Sequence, residues 1–244
     1  MKPATKPVFD NTQSIQLLPR WVTSSRSEAI ETVAFTSGAA LAMLDVVLRN
    51  PGGTLPSELL RDRMALDAAV ACLKLENRNE TASGIRDAVC LARRGDALGP
   101  AGDMFMAWRK LVRVNLSAGG WKDRLGKVLP AAVVELMPDI GAPAGTPVAQ
   151  ASQILSYILR LFPREEAAAL MLADLTLARA VGWDRPMPSL AAHLLREDIR
   201  AIADGAGDPV QSVHRAIIAA CDGAIRMAAD LDRRVAKLRA VAPR

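Results

Sequence analysis

The longest unbroken pattern in the chain runs from Pro209 to Ala240, where Val213, Ile217, Ile218, Cys221, Ile225, Ala228, Leu231, Val235 and Leu238 recur at helical spacing with charges opposite. A stripe of that length needs either a body of other helices to seal or a partner groove to fill. The rest of the chain supplies such helices. Of 244 residues half are hydrophobic but only 4% are aromatic, and Ala and Leu dominate, so the chain favours close-packed helices over strands. The expectation is an all-α fold: an irregular multi-helix bundle of about eight or nine helices with no sheet.

Breakers divide the chain. Residues 1–19 lack periodicity and read as a flexible arm, with order beginning near Ser27 and residues 20–244 forming one helical domain. The first helix runs to about Arg49 and stops at Pro51-Gly52-Gly53. The second opens near Leu55-Pro56 and keeps its period to Leu75; the third, capped by Thr81 or Ser83, presents Ile85, Ala88, Val89 and Leu91 on one side. A fourth begins at Pro100, and a helix over 121–137 is interrupted by Pro130. The stretch PDIGAPAGTP at 138–147 is the strongest linker signal and could hinge two packed halves. Helices over 149–162, 165–181, 190–203 and 209–240 complete the pattern.

The N-terminus lacks the apolar core of an export signal. Ala29–Leu48 is long enough to span a bilayer, yet Glu31 and Asp45 lie within it, and a carboxylate at that depth costs roughly 3 kcal/mol or more. A soluble central helix, enclosed on most sides with Ser37, Gly38 and Ala42 admitting close neighbours, is the reading, with no membrane partner. Cys72, Cys90 and Cys221 are odd in number, far apart and set in apolar patterns, which suits buried thiols in a cytoplasmic protein.

The stretch Glu76–Arg109 concentrates charge, turn formers and glycine, and makes the best candidate for a ligand site. Arg78, Arg86, Asp87, Arg94, Asp96 and Arg109 could converge beside Gly99 and Gly102 at the start of a helix, forming an anion pocket. The competing reading is scaffolding, in which guanidinium groups tie carboxylates and carbonyls together. No Lys-Ser/Thr pair completes a phosphate loop, and Pro100 removes one amide donor.

A basic run with tryptophans, Trp108 to Arg124, offers Arg109, Lys110, Arg113, Lys122 and Arg124 to a nucleic acid backbone; its alternative is a solvated face over buried indoles. Asp45, Asp67 and Asp174 lie inside apolar runs, Asp67 with Arg63 one turn earlier. His193 with Glu197, and Ser189 with His193, form neither a metal set nor a hydrolase signature. No catalytic residue, metal site or cofactor is expected. The function that remains is a non-catalytic helical scaffold or interaction module, with a protein partner or self-association, and with the anion binder or enzyme and the nucleic-acid accessory protein as alternatives.

Pro19-Arg20-Trp21-Val22, the stretch NRNETASGIRDAV at 77–89, Gly95-Asp96, Gly99-Pro100-Ala101-Gly102, Ala107-Trp108-Arg109, Leu172-Ala173-Asp174-Leu175, Gly182-Trp183 and Pro186-Met187-Pro188 together resemble a bacterial family, domain of unknown function 1403. The resemblance implies a helical protein of the kind found in alphaproteobacteria, often plasmid-borne, with no assigned activity or catalytic residues. It also implies that relatives continue beyond Ala240-Val241-Ala242-Pro243, so that a C-terminal segment is expected to be missing.

Overall fold

The computed structural model describes residues 15–24, 29–49, 55–93, 95–136 and 143–241. Among them lie eleven α-helices and no strand: α1 Arg20–Thr23, α2 Ile30–Arg49, α3 Ser57–Leu75, α4 Ala82–Leu91, α5 Gly99–Leu111, α6 Trp121–Leu125, α7 Ala131–Leu136, α8 Pro147–Leu161, α9 Glu166–Ala180, α10 Arg196–Ala203 and α11 Pro209–Val241. Eight are at least seven residues long, and the all-α bundle stands.

Local chemistry sets most boundaries. Thr81 caps α4 by accepting the Gly84 amide at 3.1 Å, and Thr146 caps α8 at Ala149, with Pro147 in the first turn. Asp208 accepts the amides of Val210 and Gln211 at 3.0 and 3.1 Å and so opens α11. At the far end of α9 the chain turns at Gly182, φ +74°, while the Trp183 amide reaches back to Ala178 at 2.8 Å, the closing geometry that glycine allows. Asn77 does the same for α3 at φ 59°, its short side chain tolerating the left-handed region.

α9 sits at the centre, packed on α8 and touching α3; α11 crosses the bundle and lies against α2, α8 and α3. One hydrophobic cluster includes Leu44, Leu60, Trp108, Leu155, Leu170 and Ile217, so elements on both sides of 138–147 share a core. Residues 138–142 of the expected hinge lie outside the described residues, as do the Pro51-Gly52-Gly53 breaker, Ser27 and residues 1–14 of the expected arm.

Several expectations change. Ordered chain begins before Ser27: Leu18 and Val22 are buried in the core, with α1 between the expected arm and α2. The expected helix over 190–203 shortens to α10. Its first residues stay in a turn because the buried Asp174 carboxylate of α9 accepts the amides of Ser189 at 3.0 Å and of Leu190 at 3.2 Å. Pro186 and Pro188 immediately before withhold two amides. Pro130 splits the 121–137 region into α6 and α7, as its position demands. On α4 only Ile85 is buried; Ala88 and Cys90 face outward and Leu91 is 81% exposed, so one of the three thiols expected in the core is not there.

α2 departs most. It buries Val33, Thr36, Ser37, Ala40, Leu41, Leu44 and Val47 along one side, against α11 and α1, and leaves the other side open. Enclosure on most sides is therefore not what the chain achieves. By length and composition α2 is the one helix among the described residues apolar enough to cross a membrane, but its inner face belongs to the bundle.

Candidate functional site

The Arg-rich corner does not close around a common point. Arg86 of α4 lies against its own neighbour Asp87 at 3.3 Å, both well exposed. Arg78 stands between Glu76 and Glu80 at 3.7 and 3.9 Å. Asp96 accepts the Arg93 amide at 2.8 Å, closing a loop turn. Arg109 turns the other way, to Asp62 of α3 at 3.1 Å, where Arg113 joins it at the same distance. Arg94 lies outside the described residues. Gly99 carries a φ of +70°, and Gly102 is buried so tightly that an added Cβ would lie 2.6 Å from that of Leu98. The second glycine is thus a packing requirement that sequence alone could equally read as a ligand loop.

Beside this corner opens a cleft of about 290 Å³ between α3, α5, the α6–α7 turn and the start of α9. Cys72, Met104, Ala168 and Met171 form its apolar floor; Glu76, Asp103, Glu165 and Glu166 face it against Arg164 alone. An anion entering here meets four carboxylates. Burial pushes the Glu166 carboxyl up, Arg196 pulls it down, and Glu76 adds to the upward push. Burial also drives the Cys72 thiol up to about 12, which leaves it unreactive at neutral pH. Sequence reasoning placed Glu76 in the region of interest but missed Glu165 and Glu166, because they arrive from ninety residues downstream without a local motif.

The basic run gives up its aromatic platforms. Trp108 is fully buried. Trp121 carries Arg179 over its ring at 4.8 Å and Lys122 at 5.9 Å. Lys110, Lys122 and Arg124 are exposed, while Arg109 and Arg113 converge on Asp62.

Most other titratable or polar groups singled out in the sequence meet structural partners, although Arg61 Nε, Trp108 Nε1 and Asp222 Oδ1 are buried without a hydrogen-bond partner. Asp45 accepts from the Trp183 indole at 2.8 Å and from Arg49 at 2.6 Å. Burial raises Asp67, which Arg63 opposes, while Arg63 itself reaches Asp230 of α11 at 3.9 Å. Asp174 is fully buried and pushed well up, against the pull of its two amide donors. Ser37 of α2 meets His214 Nδ1 of α11 at 2.5 Å; burial lowers that imidazole, and Asp208 counters it. Ser37 also bonds the Ala34 carbonyl at 3.0 Å, and the pair sits inside a helix interface lined by Ala40, Val213 and Ile217 rather than a cleft. Among the described residues no three of His, Cys, Asp and Glu gather at metal-binding spacing.

What is left open is apolar. The outward face of α2 runs Glu31, Phe35, Gly38, Ala42, Val46, Arg49, all exposed. Phe35 is 67% exposed and Val46 65%. Trp21 of α1, 52% exposed, stacks on Phe35 with ring centroids 5.6 Å apart. Leu17 and Ile30 are also about half exposed. The spacing of these residues is readable in the sequence, but which side of α2 the bundle would cover is not, since both sides are apolar.

No curated protein and no solved structure matches the chain. A family model does, over residues 6–244. Its description is protein of unknown function (DUF1403), and the residues singled out above as a resemblance fall within the matched span. The chain belongs to that family.

Proposed function

We propose that the protein is a non-catalytic helical interaction module whose docking surface is the outer face of α2 extended by α1. The observation that carries this reading is the Trp21–Phe35 stack, two aromatic rings packed on each other and each more than half exposed, on the side of α2 that also carries Val46. Contiguous apolar surface of this kind marks interaction sites, and aromatic side chains concentrate at the centres of interfaces. The anion alternative draws less support, because Arg86 and Arg109 point to different carboxylates and the neighbouring cleft is acidic. The nucleic-acid alternative loses its stacking surfaces to the core and to Arg179.

The test is a photo-reactive benzophenone side chain in place of Phe35, activated in cells that produce the full chain. A discrete covalent protein adduct, absent when the probe replaces exposed Lys122, is the expected result. No adduct at position 35 overturns the reading.

A further inference from the structure

Resting on that reading, we infer that the occupant of the α2 face is a second copy of this chain, with the two α2 helices antiparallel about a two-fold axis passing the level of Ala40. The outward face is its own complement. Reversed on itself about that level, Glu31 falls opposite Arg49 of the other copy and Gly38 opposite Ala42, while Phe35 falls within one residue of Val46. Eighteen residues separate Glu31 from Arg49, five full helical turns, so both charges lie on the same line about 27 Å apart and bracket an uncharged surface. A parallel arrangement would instead set Glu31 on Glu31 and Arg49 on Arg49.

Shape agrees with charge. The two small residues sit where the helix axes would cross, and a Cβ added at Gly38 meets nothing within 4 Å, so that point is open to an approaching backbone. The large side chains Phe35 and Val46 flank it and interdigitate only when the copies run in opposite directions. A two-fold interface uses one patch twice, so self-complementarity of this kind is what it requires. A stable dimer buries roughly 800 Å² per partner, more than one helix face supplies, and Trp21 of α1, stacked on Phe35, adds to it. Arg49 keeps its bonds to Asp45 and to the Val181 and Gly182 carbonyls, which fix its orientation while its side chain stays 55% exposed.

Sedimentation of the 244-residue chain over a concentration series should show a monomer–dimer equilibrium. Ala42→Arg places an uncompensated cation at the crossing point and should weaken it by about a hundredfold or more without altering helix content. Register is tested separately in a Cys90→Ser background. Gly38→Cys and Ala42→Cys proteins, mixed and oxidised with copper phenanthroline and oxygen, should form the mixed disulfide between positions 38 and 42 in preference to either homodimer. Monomer at every concentration, or homodimeric disulfides in preference, overturns the antiparallel pair. The benzophenone adduct distinguishes the two levels: an adduct of twice the chain mass supports self-association, an adduct with a different protein retains the docking face and removes the second copy, and no adduct removes both.

Discussion

α2 and α9 are both apolar around most of their circumference, and the bundle treats them in opposite ways. Of the 15 residues of α9, ten are buried, including Leu170, Leu172, Leu175 and Leu177, because α8, α3 and the 183–194 loop enclose it. Of the 20 residues of α2, seven are buried, and Phe35 and Val46 remain in solvent. Even their embedded polar groups differ. The Asp174 carboxylate in α9 organises a loop through two backbone amides, whereas Asp45 in α2 pairs at the margin with Arg49 and Trp183. Two helices of similar composition can therefore serve as centre and as edge, and the edge keeps apolar surface in solvent.

The difference can be broken most forcefully from the α9 side. Leu170→Ala removes a fully buried side chain from a site closed on every side, and should cost about 2–5 kcal/mol of unfolding free energy in urea titration. A loss below 1 kcal/mol would mean that α9 is not the enclosed centre. Asp174→Ala strands the Ser189 and Leu190 amides in the interior, a cost of about 1–3 kcal/mol. Amide exchange at those two positions should accelerate well beyond that of α11, because the middle of the loop loses the carboxylate that holds its amides. Uniform acceleration across the chain would show global destabilisation instead.

Much of this architecture is legible in the sequence. Breakers, caps and apolar periods locate α3, α4, α5, α8, α9 and α11, and Pro130 separates α6 from α7, because these signals act over one or two helical turns. Long-range determinants are not legible. The loss of the first turns of a helix at 190 depends on Asp174, fifteen residues upstream and inward only once α9 is packed. The cleft depends on Glu76 meeting Glu166 across ninety residues. The arginines of 78–109 read as convergent because they are close in sequence, yet Arg86 stays beside Asp87 while Arg109 crosses to Asp62. The open face of α2 escapes for the reverse reason: its residues are apolar on both sides, so nothing local says which side is covered.

The inner face of α2 provides an intermediate case. Ser37→Ala leaves His214 Nδ1 without its partner at a buried helix contact and should cost about 1 kcal/mol. The same contact carries a pH signature. Burial holds the His214 imidazole below its ordinary 6.5, so its contribution is complete above that value and is lost as pH falls through the lowered folded one. Glu166, at the start of α9, runs in the opposite sense: raised above 4.5, it favours folding most below that value and loses the contribution as pH rises through its folded one. Urea midpoints of His214→Asn should therefore fall less than wild type on acidification below 6.5. Those of Glu166→Gln should fall less as pH rises above 4.5. A shared slope in all three proteins would dissociate both groups from stability.

The smallest effect on the monomer is expected at the outer face of α2. Phe35→Ala removes a large ring, but one that is 67% exposed and packs on Trp21, itself half in solvent. An outward substitution of this kind stays within about 0.5 kcal/mol in dilute protein, far below Leu170→Ala although more carbon is deleted. Concentrated protein should separate the two helices further. If the face is covered by another molecule, wild-type melting temperature rises with protein concentration by mass action, and Phe35→Ala flattens that rise while leaving the dilute value unchanged. Leu170→Ala lowers the curve at all concentrations without flattening it. A Phe35→Ala protein that melts early even when dilute would place the ring in the core of the fold, and would make α2 a second centre rather than an edge.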